Sequence, residues 1–277
     1  MKVIGIGDNV VDKYLHLNTM FPGGNALNFS VYAKLLGIES AYIGIFGNDK
    51  AANHIINILN KLKINISHCR FIEGENAYAK VDLVNGERIF VGSNKGGISK
   101  KHPLSLCEDD LNYISNFELV HTSCYSDLEK ELYKIKSLEI PISFDFSNRI
   151  EESYLKEVCS NITYGFLSCE HLTEEETKKK LEKVIKYGGK LALATRGTSR
   201  TILLHDNNFY YQEVNKVKAI DTLGAGDSFI TSFLLSIFKE KGALKEEVVK
   251  KGFKRASEFA AKTCLFYGAF GYGIKIN

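Results

Sequence analysis

The stretch "DTLGAGDSF", residues 221–229, sets two carboxylates, Asp221 and Asp227, around Gly224-Ala225-Gly226, where side chains are almost absent. Backbone N–H groups in such a run are open to an approaching anion. An apolar helical pattern (Phe229, Ile230, Phe233, Leu234, Ile237, Phe238) begins at once. A helix start attracts anions through its unpaired N–H groups and the positive end of its dipole. An Asp at that position ordinarily caps the helix. A site built only to hold phosphate gains nothing from a carboxylate beside it, because like charges repel. A site that moves a phosphoryl group onto an alcohol does need one: it orients the hydroxyl and takes its proton while N–H dipoles hold the transferred charge. The residues therefore predict an anion hole at Gly224, Ala225 and Gly226, with Asp227 as general base.

Other phosphate-binding devices fail on inspection. "GIGDNV" opens like a dinucleotide fingerprint, but its third glycine position holds Val10. "YGGKLAL" contains Gly-Lys, but Leu191 stands where a P-loop needs Ser or Thr. The six cysteines are scattered without a C-x-x-C pair, which predicts buried reduced thiols instead of a disulfide framework or zinc site.

The elements that must carry these residues alternate. Val- and Ile-rich runs at 3–7, 41–44, 119–121, 140–146, 164–168 and 190–195 read as strands. Helical stretches at 25–36, 48–62, 127–137, 173–187 and 227–241 lie between most of them. This rhythm predicts βαβ crossovers and a mostly parallel sheet covered on both faces. "AYAKVDLVNGERIFVGS" breaks the rhythm with period-two alternation about Asn85-Gly86, a hairpin signal. A second hairpin is expected at 201–205 and 209–213. With 277 residues, 44% hydrophobic and 25% charged, the chain can bury a sizeable core. A net charge of +3 points to neither nucleic acid nor membrane as partner. The opening "MKVIGIGDNVVD" lacks the apolar core of a signal peptide, so a cytoplasmic protein is expected.

"PGGNALNFSVYAKLLG", residues 22–37, matches G-G-x-x-x-N followed by a helix ending in L-G, and "DTLGAGD" matches D-T-x-G-A-G-D. Together and in this order they resemble the two signatures of the ribokinase/PfkB family of carbohydrate kinases. The resemblance implies a three-layer ribokinase-like α/β fold with a mostly parallel central sheet and a small β-hairpin lid. It implies one kinase domain over 1–277, with lid segments at about 10–20 and 75–95. It implies ATP and Mg²⁺, with a monovalent cation such as K⁺ near Asp221. Asp227 is then the base, while Asp12, Gly23, Gly24 and Asn28 match positions that grip sugar hydroxyls. "TRGTSR" matches the nucleotide loop T-x-G-x-x-G at Thr195 and Gly197, with Gly226 also on the nucleotide. Two departures stand out. Arg200 replaces the last Gly of that loop. "SCEH" puts Ser168 and His171 where the family has N-x-x-E, with Glu170 one residue off, so no metal ligand is assigned.

"IGDNVVD", the short link from it to "PGGNALN", and "FDFS" (144–147) resemble one branch, the bacterial fructoselysine 6-kinases. That branch implies phosphorylation of O6 of fructoselysine, a sugar-amine. Two alternatives remain on the same fold: a kinase for fructose, ribose or a nucleoside, and a non-catalytic nucleotide- or sugar-binding protein. Lys80 and Arg88 on the lid are charged residues whose ordinary reading is solvated strand charge. An apolar lid face of Val81, Leu83, Ile89 and Val91 would suit a homodimer.

Overall fold

The computed structural model describes residues 1–84, 87–239 and 244–277, the side chains of 83–84 and 87–88 excepted. The Asn85-Gly86 turn, the Leu83 and Arg88 side chains and the end of the helix expected to reach 241 lie outside the described residues.

The larger sheet has nine strands. Its order is β13 (Asn208–Gln212), β12 (Ser199–His205), β11 (Leu191–Arg196), β10 (Tyr164–Ser168), β9 (Ile142–Asp145), β8 (Leu119–Ser123), β1 (Lys2–Gly7), β4 (Glu39–Phe46) and β5 (Arg70–Phe71). From β11 to β5 every pairing is parallel; β12 and β13 add an antiparallel edge. The turn between β12 and β13 holds Asp206 and Asn207 at φ 48° and 60°, the left-handed pair that a tight hairpin requires.

The helices are α1 (Asn25–Leu35), α2 (Lys50–Lys61), α3 (Gly97–Lys101), α4 (Glu108–Ile114), α5 (Leu132–Lys136), α6 (Glu152–Cys159), α7 (Glu174–Lys186), α8 (Ala225–Phe238) and α9 (Glu246–Thr263). They cover both faces of the sheet. Ile4 and Ile6 point to the side packed by Leu132, Leu155 and Leu181, whereas Val3 joins Phe29, Phe233 and Phe253 of α1, α8 and α9. Alternation along β1 thus feeds two cores, giving three layers. α1 is buried from Ala26 to Ala33, all round its axis, so an amphipathic stripe is absent from its sequence. The helix expected over 127–137 is shorter: Asp127 sits at φ 53°, pairs with Lys100, and only 132–136 is α-helical. Left-handed backbone at Asp127 cannot continue a helix.

A second, five-stranded sheet has the order β14 (Ile274–Lys275), β3 (Thr19–Gly23), β2 (Val10–Tyr14), β6 (Tyr78–Val84) and β7 (Glu87–Ser93). Its inner face carries Tyr14, Phe21 and Val81, packed with Leu223. The continuous apolar face expected from Val81, Ile89 and Val91 does not form. Register pairs Val81 with Phe90 and Asp82 with Ile89, so Val81 is buried inside while Ile89 is exposed on the other side. Lys13 pairs with Lys80, and both ammonium groups lie over the Tyr78 ring, on the face opposite Asp12. Among the described residues no helix is long and apolar enough to cross a membrane. All six cysteines are free, and only Cys107 is exposed.

Candidate active site

Parallel strands present their carboxyl ends on one rim, which is where open α/β sheets bind ligands. Asp8 follows β1, Ser123 ends β8, Asp145 ends β9, Ser168 ends β10, and Thr195 lies at the end of β11. α1 and α8 bring their N-termini to the same rim. Gly24, the residue before α1, has φ 113° and no side chain to cap the helix. Asp8 takes over that task, accepting from the Asn25 N–H at 2.6 Å and the Ala26 N–H at 3.2 Å. A Cβ on Gly24 would meet Asn9 Cα at 2.7 Å, and one on Gly23 would meet Asp12 Oδ2 at 2.7 Å. Both glycines therefore make room, one for backbone and one for a carboxylate.

Asp227 stands in the first turn of α8, half-buried. Asn28 donates to its Oδ2 at 2.6 Å and Asn25 to its Oδ1 at 2.9 Å. The same Asn25 amide donates to Asp145 Oδ2 at 2.8 Å, so one amide group ties two carboxylates together. Burial pushes the Asp227 carboxyl up to about 6, with the charge of Asp8 adding to it and the Asn28 and Asn25 donors opposing. Burial and the charge of Asp227 push Asp145 up to about 7. Asn28 Oδ1 is buried and receives no hydrogen bond from the described residues. A buried acceptor without a donor is costly, and a sugar hydroxyl would satisfy it.

The helix start fits a phosphate group. Gly224 adopts φ 73°, and a Cβ there would meet Tyr32 Oη at 2.3 Å and Ala269 Cβ at 2.7 Å. No side chain caps α8, so first-turn N–H groups are left for a ligand. A Cβ on Gly226 would meet nothing within 4 Å, which makes that residue the open side of the turn. Ala225 N–H points back to the Thr222 carbonyl at 3.2 Å. Asp221, buried, anchors the loop: it accepts from Leu223 N–H at 3.0 Å, Gly268 N–H at 2.9 Å and the Tyr14 hydroxyl on β2.

Thr195 pairs with Ser168 across β10 and β11, two strands from Asp145 on the rim. Gly197 follows at φ 58°, and a Cβ there would lie 2.6 Å from Glu170 Oε1. Arg200 causes no strain. It lies in β12, its guanidinium reaches Glu174 at 2.7 Å and covers the Tyr211 ring, and the loop simply closes into a hairpin. Ser168 and His171 are exposed, and among the described residues no group of three or more His, Cys, Asp or Glu could hold a metal. The described residues do not build a divalent-cation cage.

Asn25, Asp8, Asp145 and His121 escaped the sequence reading as site residues. Asp145 lay within "FDFS", and Asn25 within "PGGNALN", but nothing in their local spacing places them beside Asp227.

The chain matches the model of the pfkB family carbohydrate kinases over residues 3–137 and 161–270. It is 46% identical over 274 residues to the fructosamine kinase FrlD of Bacillus subtilis (strain 168), covering 99% of this chain and 94% of that one. It is 29% identical over 266 residues to the fructoselysine 6-kinase of Escherichia coli (strain K12), covering 96% and 98%. Its fold matches Arabidopsis thaliana ribokinase, solved with ribose and ATP, at a TM-score of 0.80 and 18% identity, over 98% of this chain and 94% of that one. With two signature segments in place and the family match covering most of its length, the chain belongs to the pfkB family of ATP-dependent carbohydrate kinases.

Proposed function

We propose that the chain transfers the γ-phosphoryl group of ATP, supplied as its Mg²⁺ complex, to O6 of a fructosamine, with fructoselysine the foremost substrate. The observation that carries this is the 46% identity to a fructosamine kinase over 99% of the chain. The sugar binds between Asp12, Gly23, Gly24 and Asn28, and the orphaned Asn28 Oδ1 accepts one of its hydroxyls. Asp227, ionised above about pH 6, takes the proton of the attacking hydroxyl. The Asn25 and Asn28 amides hold that carboxylate in one orientation. First-turn N–H groups of α8 around Gly226 receive the transferred charge, and Thr195 and Gly197 line the nucleotide. A monovalent cation beside Asp221 belongs to this reading, as does a homodimer formed through the lid.

The test is a coupled ADP-release screen across fructoselysine, other fructosamines, fructose, ribose and nucleosides. Fructoselysine should exceed fructose in kcat/KM by about a hundredfold, the discrimination that one charged hydrogen bond and a few buried methylenes can supply. A preference for fructose, ribose or a nucleoside overturns the substrate assignment. ADP release with none of them favours a non-catalytic binder.

A further inference from the structure

His121 lies on β8, fully inside the protein, with its ring stacked on Phe29 at 4.5 Å. Its Nε2 is 2.9 Å from Asn25 Oδ1, and its Nδ1 is 2.8 Å from Ser143 Oγ. The surroundings leave these groups little choice. Asn25 must turn its NH₂ toward Asp227 and Asp145, because Asp227, ionised as the base, can only accept hydrogen bonds. Its carbonyl oxygen then faces His121, so Nε2 must carry the proton. Nδ1 in turn accepts from the Ser143 hydroxyl. Burial holds the imidazole far below its usual range, to about 3, so it stays neutral and keeps one donor and one acceptor.

We infer that His121 is a positioning residue for the phosphoryl-transfer reaction: its Nε2–H locks the Asn25 amide so that the NH₂ stays on Asp227 and Asp145. Without that lock the amide can rotate and present an oxygen to two carboxylates. The remaining groups around Asp227 cannot substitute. Asn28 is already bound to the other oxygen, Tyr32 on α1 is directed to the Gly224 and Ala269 carbonyls, and Asp8 and Asp145 carry the same charge as Asp227. Losing the Asn25 donor raises the pKa of Asp227, because a donor favours the charged form. Activity is then lost at a higher pH on the acid side and returns in alkaline solution.

The pH readout rests on the reading of Asp227 as base. His121→Phe keeps the stacking partner of Phe29 and removes the donor. It should move the acid limb of kcat/KM upward by about one pH unit, roughly a fivefold loss at pH 6 that nears tenfold at about pH 5 and recovers by about pH 8.5, with the sugar KM within about twofold. His121→Gln, which keeps an N–H donor, should bring the limb back toward its original position. An unchanged limb in His121→Phe, or an equal loss of kcat at every pH, overturns the inference. The unsubstituted protein, labelled with ¹⁵N-histidine, gives a reading independent of activity and of any variant's folding. The His121 imidazole should show the Nε2–H tautomer without titration from pH 5 to pH 9. A protonated Nδ1 or a titrating ring overturns the inference. Asp227→Asn separates the two claims: near-normal turnover in that variant removes Asp227 as base but leaves the tautomer prediction standing.

Discussion

Asp227 is held against its own electrostatic interest. Burial and Asp8 push its carboxyl up to about 6, and Asp145 beside it rises to about 7, both above the ordinary carboxylate value of 3.8. Groups raised in this way favour their protonated form in the folded state. Their contribution to stability is full below about pH 4 and is lost as the pH rises through 6 and 7. Asp227→Asn removes one of the charges, and Asn28 can turn its orphaned Oδ1 to accept the new NH₂. The variant should lose kcat by about 10²–10⁴-fold while sugar affinity is largely kept. It should also be more stable than the parent at pH 8, by roughly 1–2 kcal/mol, with the gap closing as the pH falls toward 4. Turnover near that of the parent removes Asp227 as the base and leaves it a structural partner of Asn25 and Asn28. A melting gap that does not change with pH removes the charge argument. At this scale the sequence was only partly legible. Signature spacing singles out Asp227 and Asn28, which the structure joins by a hydrogen bond, whereas Asp8, Asn25, His121 and Asp145 meet only because three parallel strands and a helix end on one rim.

The start of α8 separates two kinds of glycine. Gly224 needs its left-handed φ and has Tyr32 and Ala269 against it, whereas Gly226 opens on empty space. Gly224→Ala should therefore destabilise the fold by about 2 kcal/mol or more, read by denaturant titration. Gly226→Val should keep the melting temperature close to the parent's and depress turnover more than sugar binding measured without ATP. Equal loss of both in the folded Gly226→Val protein removes the anion-hole argument. Periodicity gave most strands and the long helices with boundary errors of a few residues. It failed at 127–137, where one left-handed Asp ends the pattern. It also failed on the small sheet, where the register puts Val81 and Ile89 on opposite faces. The unbroken pairing from Val84–Glu87 to Val81–Phe90 sets those faces, and the β-bulge at Lys80–Val81 shifts only the pairs beyond it. The lid reading of β6 and β7 has its own measurement. Saturating sugar should slow amide exchange across Tyr78–Ser93, and unchanged exchange there rules out ordering by substrate.

Across the whole molecule, the two sheets meet at the 221–224 loop, through the Tyr14–Asp221 hydrogen bond and the packing of Leu223 on Tyr14, Phe21 and Val81. The loop that forms the helix start is thereby clamped to the sheet that carries Asp12. The small sheet also has an unusual pedigree: β14, near the last residue, pairs with β3, as Ile274 with Met20 and Lys275 with Thr19. Closing so long a loop costs entropy before any contact returns it, and contacts distant along the chain form slowly. The large sheet can assemble largely from neighbouring strands, so its nucleation does not have to wait for the small one. Refolding should then show two phases, with protection in β8–β11 preceding protection where β3 pairs with β14. Deleting residues 274–277 should abolish the slow phase, leave the main unfolding transition in place, and speed amide exchange in Thr19–Gly23. A single phase common to both sheets would mean that the fold closes as one cooperative unit, with its final strand already present in the nucleus.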